Sequence, residues 1–268
     1  MAFLKEMKTV SILGCGWFGF ALAKELISIG YKVKGSTTSP EKISKLTEAG
    51  IDAYLVNFTL ESVSADYTFF DTDVLFISIP PKRNSSELAT YPDKIRSILE
   101  SVKADSTKII LISSTSVYGD DNKIVNEKTE TNPDTESGKV ILAAEEIFKN
   151  QFPSDYTIIR FAGLIGPERN PGRFFAGKTN VPNGLAPVNL IHQQDAVAIA
   201  ISILENNAYG RIYNACSPEH PLKKDFYRKA AYDSGLETPE FIEEKTSWKI
   251  VESLNVPEFL NYEFKAGI

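Results

Sequence analysis

Residues 9–19 read TVSILGCGWFG, and the reading of this stretch decides the fold. Thr9 to Leu13 is a short apolar run rich in β-formers, the pattern of a buried strand. Glycines follow at once at 14, 16 and 19, and a helical pattern then runs to Ile29 and stops at Gly30. The spacing is G-x-G-x-x-G. In a strand-turn-helix setting the first glycine permits the tight turn, the second lets a pyrophosphate approach the backbone, and the third lets helix and strand pack closely. The helix N-terminus then faces the anion. The expectation is a dinucleotide site built on Gly14, Gly16, Trp17, Phe18 and Gly19, with the side chains of Trp17 and Phe18 serving as core contacts of the helix.

Outward from the turn, Tyr31 to Gly35 reads as the second strand. At its end an NAD site would place an acid on the ribose 2′-hydroxyl. Here the sequence is Gly35-Ser36-Thr37-Thr38-Ser39, with Lys42 a helical turn on. The hydroxyls of Ser36, Thr37 and Thr38 suit a 2′-phosphate that a carboxylate would repel, so NADP(H) is favoured over NAD(H) as the cofactor. Further strands are expected at 51–56, 73–79, 108–113 and 156–162, with helices at 92–102 and 137–152. Such alternation predicts an α/β fold, a doubly wound parallel sheet of the Rossmann type. After Gly163 the chain is punctuated by Gly166, Pro167, Pro171, Gly172, Gly177, Pro182, Gly184 and Pro187. Residues 1–163 are therefore expected to form the dinucleotide-binding domain. Residues 164–268 are expected to complete the sheet and supply a smaller C-terminal substrate lobe.

Composition narrows the function classes. The 268 residues are 43% hydrophobic and 24% charged, a globular balance that argues against a coiled coil or a disordered chain. Net charge is -6 with no long basic run, so nucleic acid is not an expected partner. Two cysteines are too few for a disulfide framework and fit a reducing cytoplasm. No apolar run approaches the roughly 20 residues of a membrane span, and MAFLKEMK does not read as a signal peptide; no membrane partner is expected. His192 and His220 lie far apart without a Cys or second His at ligand spacing, so no metal site is expected either.

Four more segments, with the glycine turn, resemble the short-chain dehydrogenase/reductase superfamily in its extended, epimerase/dehydratase-like branch. Ser113-Ser114-Thr115-Ser116-Val117-Tyr118-Gly119 is similar to that branch's SSxxVYG segment, which implies that Ser114 binds the reacting oxygen. Residues 160–167 (RFAGLIGP), 188–195 (VNLIHQQD) and 211–214 (RIYN) match later segments in order. The resemblance implies a small-molecule substrate of the nucleotide-sugar kind. Arg169, Arg173 and Lys178 in the loop after Pro167 become candidate ligands for its diphosphate, with a solvated basic loop as the alternative. Since that branch is often dimeric, a homodimer is also implied.

The sequence departs from the family at its chemistry. The family pairs a Tyr general acid/base with a Lys four residues on, where the cation lowers the phenol's pKa. No Tyr in this chain is followed by Lys at that spacing. Aligning Glu136 to Glu145 with the family's helix puts Ser137 at the Tyr position and Ile141 at the Lys position. Lys139 lies about 200° around the helix from the expected place and cannot substitute. Glu136, Ser137 and Tyr118 are the candidate proton carriers, with Ser114 orienting the carbonyl. Alternatively the chain is a non-catalytic NADP(H)-binding sensor or scaffold. His192 as a base paired with Asp195 is weighed and set below a structural role, with Asp195 a helix-start acid favoured by the dipole.

Overall fold

The computed structural model describes residues 8–59, 63–81, 87–102 and 107–268. Seven strands form one parallel sheet: β1 (Thr9–Leu13), β2 (Lys32–Thr37), β3 (Asp52–Leu55), β4 (Val74–Ile77), β5 (Lys108–Ser114), β6 (Thr157–Phe161) and β7 (Ile212–Ala215). Their order is 3-2-1-4-5-6-7. β1 sits at the reversal, with Val10 opposite Val33 of β2 on one side and Val74 of β4 on the other. Sheets wound this way bind ligands at the crevice outside the carboxyl ends of the strands where the order turns. The inner strands read as buried on both faces, every residue of β4 and β6 being buried, Arg160 included, while the edge strand β3 has no buried residue.

The helices include α1 (Trp17–Ser28), α2 (Ile43–Glu48), α3 (Tyr91–Glu100), α4 (Glu136–Gln151), α5 (Gln193–Glu205) and α6 (Lys223–Asp233). Each buries one stripe. α1 buries Phe18, Leu22, Ala23 and Leu26, and α3 buries Tyr91, Ile95, Ile98 and Leu99, the i, i+3/4, i+7 spacing of an amphipathic helix. Among the described residues no helix is long and apolar enough to cross a membrane, and no cluster of His, Cys, Asp and Glu could hold a metal.

The chain divides into two compact units, but not at a single cut after residue 163. One unit takes residues 1–113, 139–159 and 200–212; the other takes 114–138, 160–199 and 213–268. The exchange follows from the winding: the chain leaves the first unit after β5, returns along α4 and leaves again within β6. The second unit has two parallel strand pairs that the sequence pattern did not reveal, Asp121–Val125 with Trp248–Val251 and Gly163–Ile165 with Leu190–His192. Asp121 to Ile124 are all exposed, so no apolar alternation marks that strand. Ile165, Val181, Val188, Leu190, Tyr227 and Phe241 form this unit's core.

Asp195 does more than begin a helix. Fully buried, its carboxylate accepts from the Tyr262 hydroxyl at 2.7 Å and from the amides of Lys265 at 2.9 Å and Ala266 at 3.1 Å. It anchors the C-terminal segment, and both its oxygens are committed there rather than to His192.

Candidate functional site

In the first unit the three glycines of the turn divide the work. Gly14 has φ +97°, and a Cβ there would lie 2.9 Å from both Ile79 Cγ2 and the Ser78 carbonyl oxygen. A Cβ on Gly19 would fall well inside 3.0 Å of the Gly14 carbonyl and 3.1 Å from Ile12 Cγ2, so only glycine lets α1 lie this close to β1. Gly16 is the opposite case. Its backbone is ordinary (φ -78°, ψ -156°) and a Cβ would meet nothing within 4 Å. The space is left open where the helix starts, and α1 carries no acid in its first turn to offset the dipole. Phe18 is buried and Trp17 half-buried, consistent with packing.

The end of β2 supports the turn. The Gly14 amide donates to Ser36 Oγ at 2.9 Å, and the Cys15 amide to the Ser36 carbonyl at 2.8 Å. Ser36 is buried. Ser36 lines the groove described next, and its oxygen already serves the turn, where it fixes the loop. Thr37 Oγ1 accepts from the Ser39 amide at 3.1 Å, while Thr38 and Lys42 are exposed. Thr37, Thr38 and Lys42 line a cavity of ≈ 310 Å³ that runs from Gly14–Gly16 past Asn57 and Phe58 to Tyr91 and Lys94. Burial pushes the Cys15 thiol up to about 12, so this cysteine stays protonated beside the groove. The residues present fit a dinucleotide: an open cradle at Gly16 where a helix starts, and a groove with cations along its length.

The candidate proton carriers lie in the second unit. Ser114 ends β5, and its Oγ accepts from the Ser116 amide at 3.2 Å, capping the turn Thr115–Val117. Tyr118 is corrected as a proton carrier. It is 1% exposed; its hydroxyl donates toward Asn126 O at 3.0 Å and Asn214 Oδ1 at 3.1 Å, and accepts from Arg160 at 2.7 Å. The Arg160 guanidinium also stacks 5.0 Å from the ring. Burial raises the phenol's pKa further, so this group is a structural partner for a buried arginine. Glu136 is exposed in the first turn of α4. Ser137 differs from these: its Oγ is buried and, among the described residues, has no hydrogen-bond partner, as is the case for Ser116. Gly138 packs so tightly on the Ser116 carbonyl that a Cβ would collide, which sets the start of α4 against the Thr115–Val117 turn. Ile141 is 4% exposed and Lys139 is exposed.

Residues 9–116 match the family model for the coenzyme F420-dependent NADP oxidoreductases. Protein YeeZ of Escherichia coli K12 is 38% identical over 265 residues, covering 97% of this chain and 96% of YeeZ. The UDP-glucuronic acid 4-epimerase of Bacillus cereus, solved with NAD, superposes with a TM-score of 0.79 at 18% identity, covering 97% and 92% of the two chains. A conserved protein of Silicibacter pomeroyi, whose function is unknown, gives 0.75 at 22%, covering 97% and 94%. The chain belongs to the family of protein YeeZ. It shares the Rossmann fold of the NAD-bound epimerase, and it has no Tyr followed by Lys four residues on.

The loop cations lie at the surface. Arg169, Arg173 and Lys178 are all exposed, and the Lys178 ammonium lies 5.4 Å over the Phe175 ring. Two lysines that sequence reasoning missed are more embedded. Lys223 sits 5.1 Å over Phe175 and donates to the Pro182 carbonyl at 3.0 Å; burial lowers its pKa. Lys249 donates to the Tyr118 carbonyl at 2.7 Å and pairs with Asp120 at 2.8 Å. Their partners come from segments distant in sequence, so only the fold could have found them.

Proposed function

We propose that the chain binds NADP(H) at the glycine turn and acts as an oxidoreductase or epimerase at a carbinol carbon of a sugar-like or small carbonyl substrate, with serine hydroxyls in place of the superfamily's tyrosine. The observation that carries the cofactor assignment is the open space at Gly16 between two glycines that the packing demands. The preference for the 2′-phosphorylated coenzyme rests on Thr38 and Lys42, exposed on the groove, and on the absence of any acid from Gly35 to Ser39. Bound coenzyme would supply or accept a hydride at its nicotinamide. Ser114 uses its oxygen to accept one amide and keeps its O–H for a substrate oxygen. Ser137 offers a hydroxyl with no protein partner; a buried polar group left unpaired costs about 1–3 kcal/mol, which a substrate hydroxyl or carbonyl would recover. A serine is a far weaker acid than a phenol, and general acid/base catalysis contributes about 10²–10⁴ in rate, so turnover is expected to be slow. A nucleotide sugar remains the substrate class the Arg169, Arg173 and Lys178 loop suits.

A second reading, a non-catalytic NADP(H)-responsive binding protein, is favoured by Ile141, which is buried where the superfamily has its lysine. One experiment separates them: the protein is mixed with NADPH and a panel of carbonyl compounds and nucleotide sugars, and reduced-nicotinamide absorbance is followed. Turnover abolished in Ser114→Ala supports the enzyme. Tight coenzyme binding with no turnover supports the sensor, and no binding of either coenzyme at millimolar concentration refutes both.

A further inference from the structure

Opposite the glycine turn, in the same unit, stands a cation outside any recognised motif. Tyr91 opens α3, is buried, and donates its hydroxyl to the Ile79 carbonyl at 3.0 Å. Ile79 and Ser78 are the wall that a Cβ on Gly14 would strike. The first turn of α3 is thereby pinned beside the glycine turn. Lys94 lies three residues after Tyr91, on the same helix face, and lines the same groove as Gly14–Gly16. Its side chain is only 22% exposed, and among the described residues its polar partner is Glu87, Oε2 to Nζ 3.8 Å. That distance is beyond a hydrogen bond, so three N–H donors of a half-buried ammonium are poorly used. Glu87 lines the groove as well, and its carboxylate would repel any phosphate placed there. Lys42, the other lysine on the groove, approaches from the β2 side beside Thr38, where a ribose phosphate is expected.

We propose that Lys94 is a pyrophosphate clamp. When the coenzyme enters, the Lys94 ammonium exchanges Glu87 for the paired phosphates held from the other side by the amides at the start of α1. A lysine suits this because a compact charge on a flexible stem tolerates a small reorientation. Glu87, 3.8 Å from the ammonium, competes with the coenzyme for it. The inference rests on the coenzyme-binding reading above and adds to it a binding residue that lies some 75 positions beyond the motif.

The test is calorimetric titration of wild type, Lys94→Gln, Lys94→Arg and Glu87→Gln with NADPH and with NADH, alongside thermal unfolding of each variant. Losing a charge-assisted contact should weaken binding about tenfold. Lys94→Gln should lose that factor equally for both coenzymes, with a shallower salt dependence, and Lys94→Arg should restore most of it. Glu87→Gln should tighten both coenzymes, which keeps the proposal testable even where Lys94→Gln unfolds. Wild-type affinity in Lys94→Gln overturns the clamp, and so does a loss confined to NADPH, which would assign Lys94 to the 2′-phosphate. If wild type binds neither coenzyme, the cofactor reading itself has failed, and the two failures are told apart.

Discussion

Gly16→Ala and Gly19→Ala should separate binding from stability. The two positions lie in one turn, three residues apart, yet they face different surroundings. A methyl at Gly19 would overlap the Gly14 carbonyl and press on Ile12 Cγ2. A backbone oxygen cannot rotate away, so α1 must lift from β1. Overpacking of this kind costs typically 1–3 kcal/mol, and a backbone collision belongs at the upper end, about 2–3 kcal/mol. At about 2–4 °C per kcal/mol for chains approaching this size, the melting temperature should fall by roughly 5–10 °C. A methyl at Gly16 touches nothing in the protein, and the backbone there is one any residue adopts. Loss of a glycine helix cap is offset by the reduced entropy of the unfolded chain, an effect of ~0.4–1 kcal/mol, so stability should stay within about 0.5 kcal/mol of wild type. The same methyl projects into the space a phosphate would occupy. Displacing one charge-assisted hydrogen bond costs ~1.5–3 kcal/mol, hence at least a tenfold rise in coenzyme Kd. Differential scanning calorimetry and titration with NADPH measure both quantities on each variant. If Gly16→Ala binds like wild type, or destabilises as much as Gly19→Ala, the division of labour inferred for the turn is wrong.

Other consequences follow from the same structure. Ser36→Ala removes the buried acceptor of the Gly14 amide and should cost about 1–3 kcal/mol, with affinity for both coenzymes falling too; a variant that keeps its stability and loses affinity for NADPH alone would return Ser36 to the 2′-phosphate role. Asp195→Asn keeps the volume but removes the charge that three donors share; unfolding should shift by ~2–4 kcal/mol, and limited proteolysis should cut after Asn261 in the variant before it does in wild type. Cys15 and Cys216 both have thiols pushed from 9.0 to about 12 by burial. The unfolded chain therefore binds fewer protons than the folded one above pH 9, and stability must fall as pH rises from about 9 to about 12. A double Cys→Ala variant should show a flatter alkaline limb, and thiol reagents at pH 8 should label native protein far more slowly than unfolded protein.

The sheet was legible because its residues obey local rules. The apolar runs at Thr9, Val74 and Thr157 are strands buried on both faces, and the amphipathic spacing of α3 and α4 is visible without tertiary context. So was the glycine turn, since Gly14 and Gly19 answer to backbone and packing requirements that no side chain can meet, and Gly16 keeps the space between them open. What escaped was set by distant contacts. The Asp121–Val125 strand is mostly exposed and pairs with residues more than 120 positions later, so neither periodicity nor propensity marks it. The boundary at Gly163 was read from glycine and proline content, yet the units exchange segments at Ser114 and again within β6, because a winding chain crosses between them more than once.

Tyr118 shows why a motif fixes a residue's place before its role. The sequence offered a phenol two residues beyond the Ser114–Ser116 turn in a chain that had lost its expected tyrosine, and it was natural to count it as a replacement acid. One more feature was in view. Arg160 lies in an otherwise apolar strand, and a charge taken into a core requires a partner with donors and acceptors matched to it. Tyr118 accepts from the guanidinium at hydrogen-bond distance and is itself held by Asn214. Tyr118→Phe should therefore lower stability by leaving the guanidinium short of an acceptor, a cost of about 1–3 kcal/mol, while any turnover keeps its pH profile. A pH profile that changes in Tyr118→Phe, with the fold intact, would put the phenol back into the chemistry and leave Ser114 and Ser137 as its helpers.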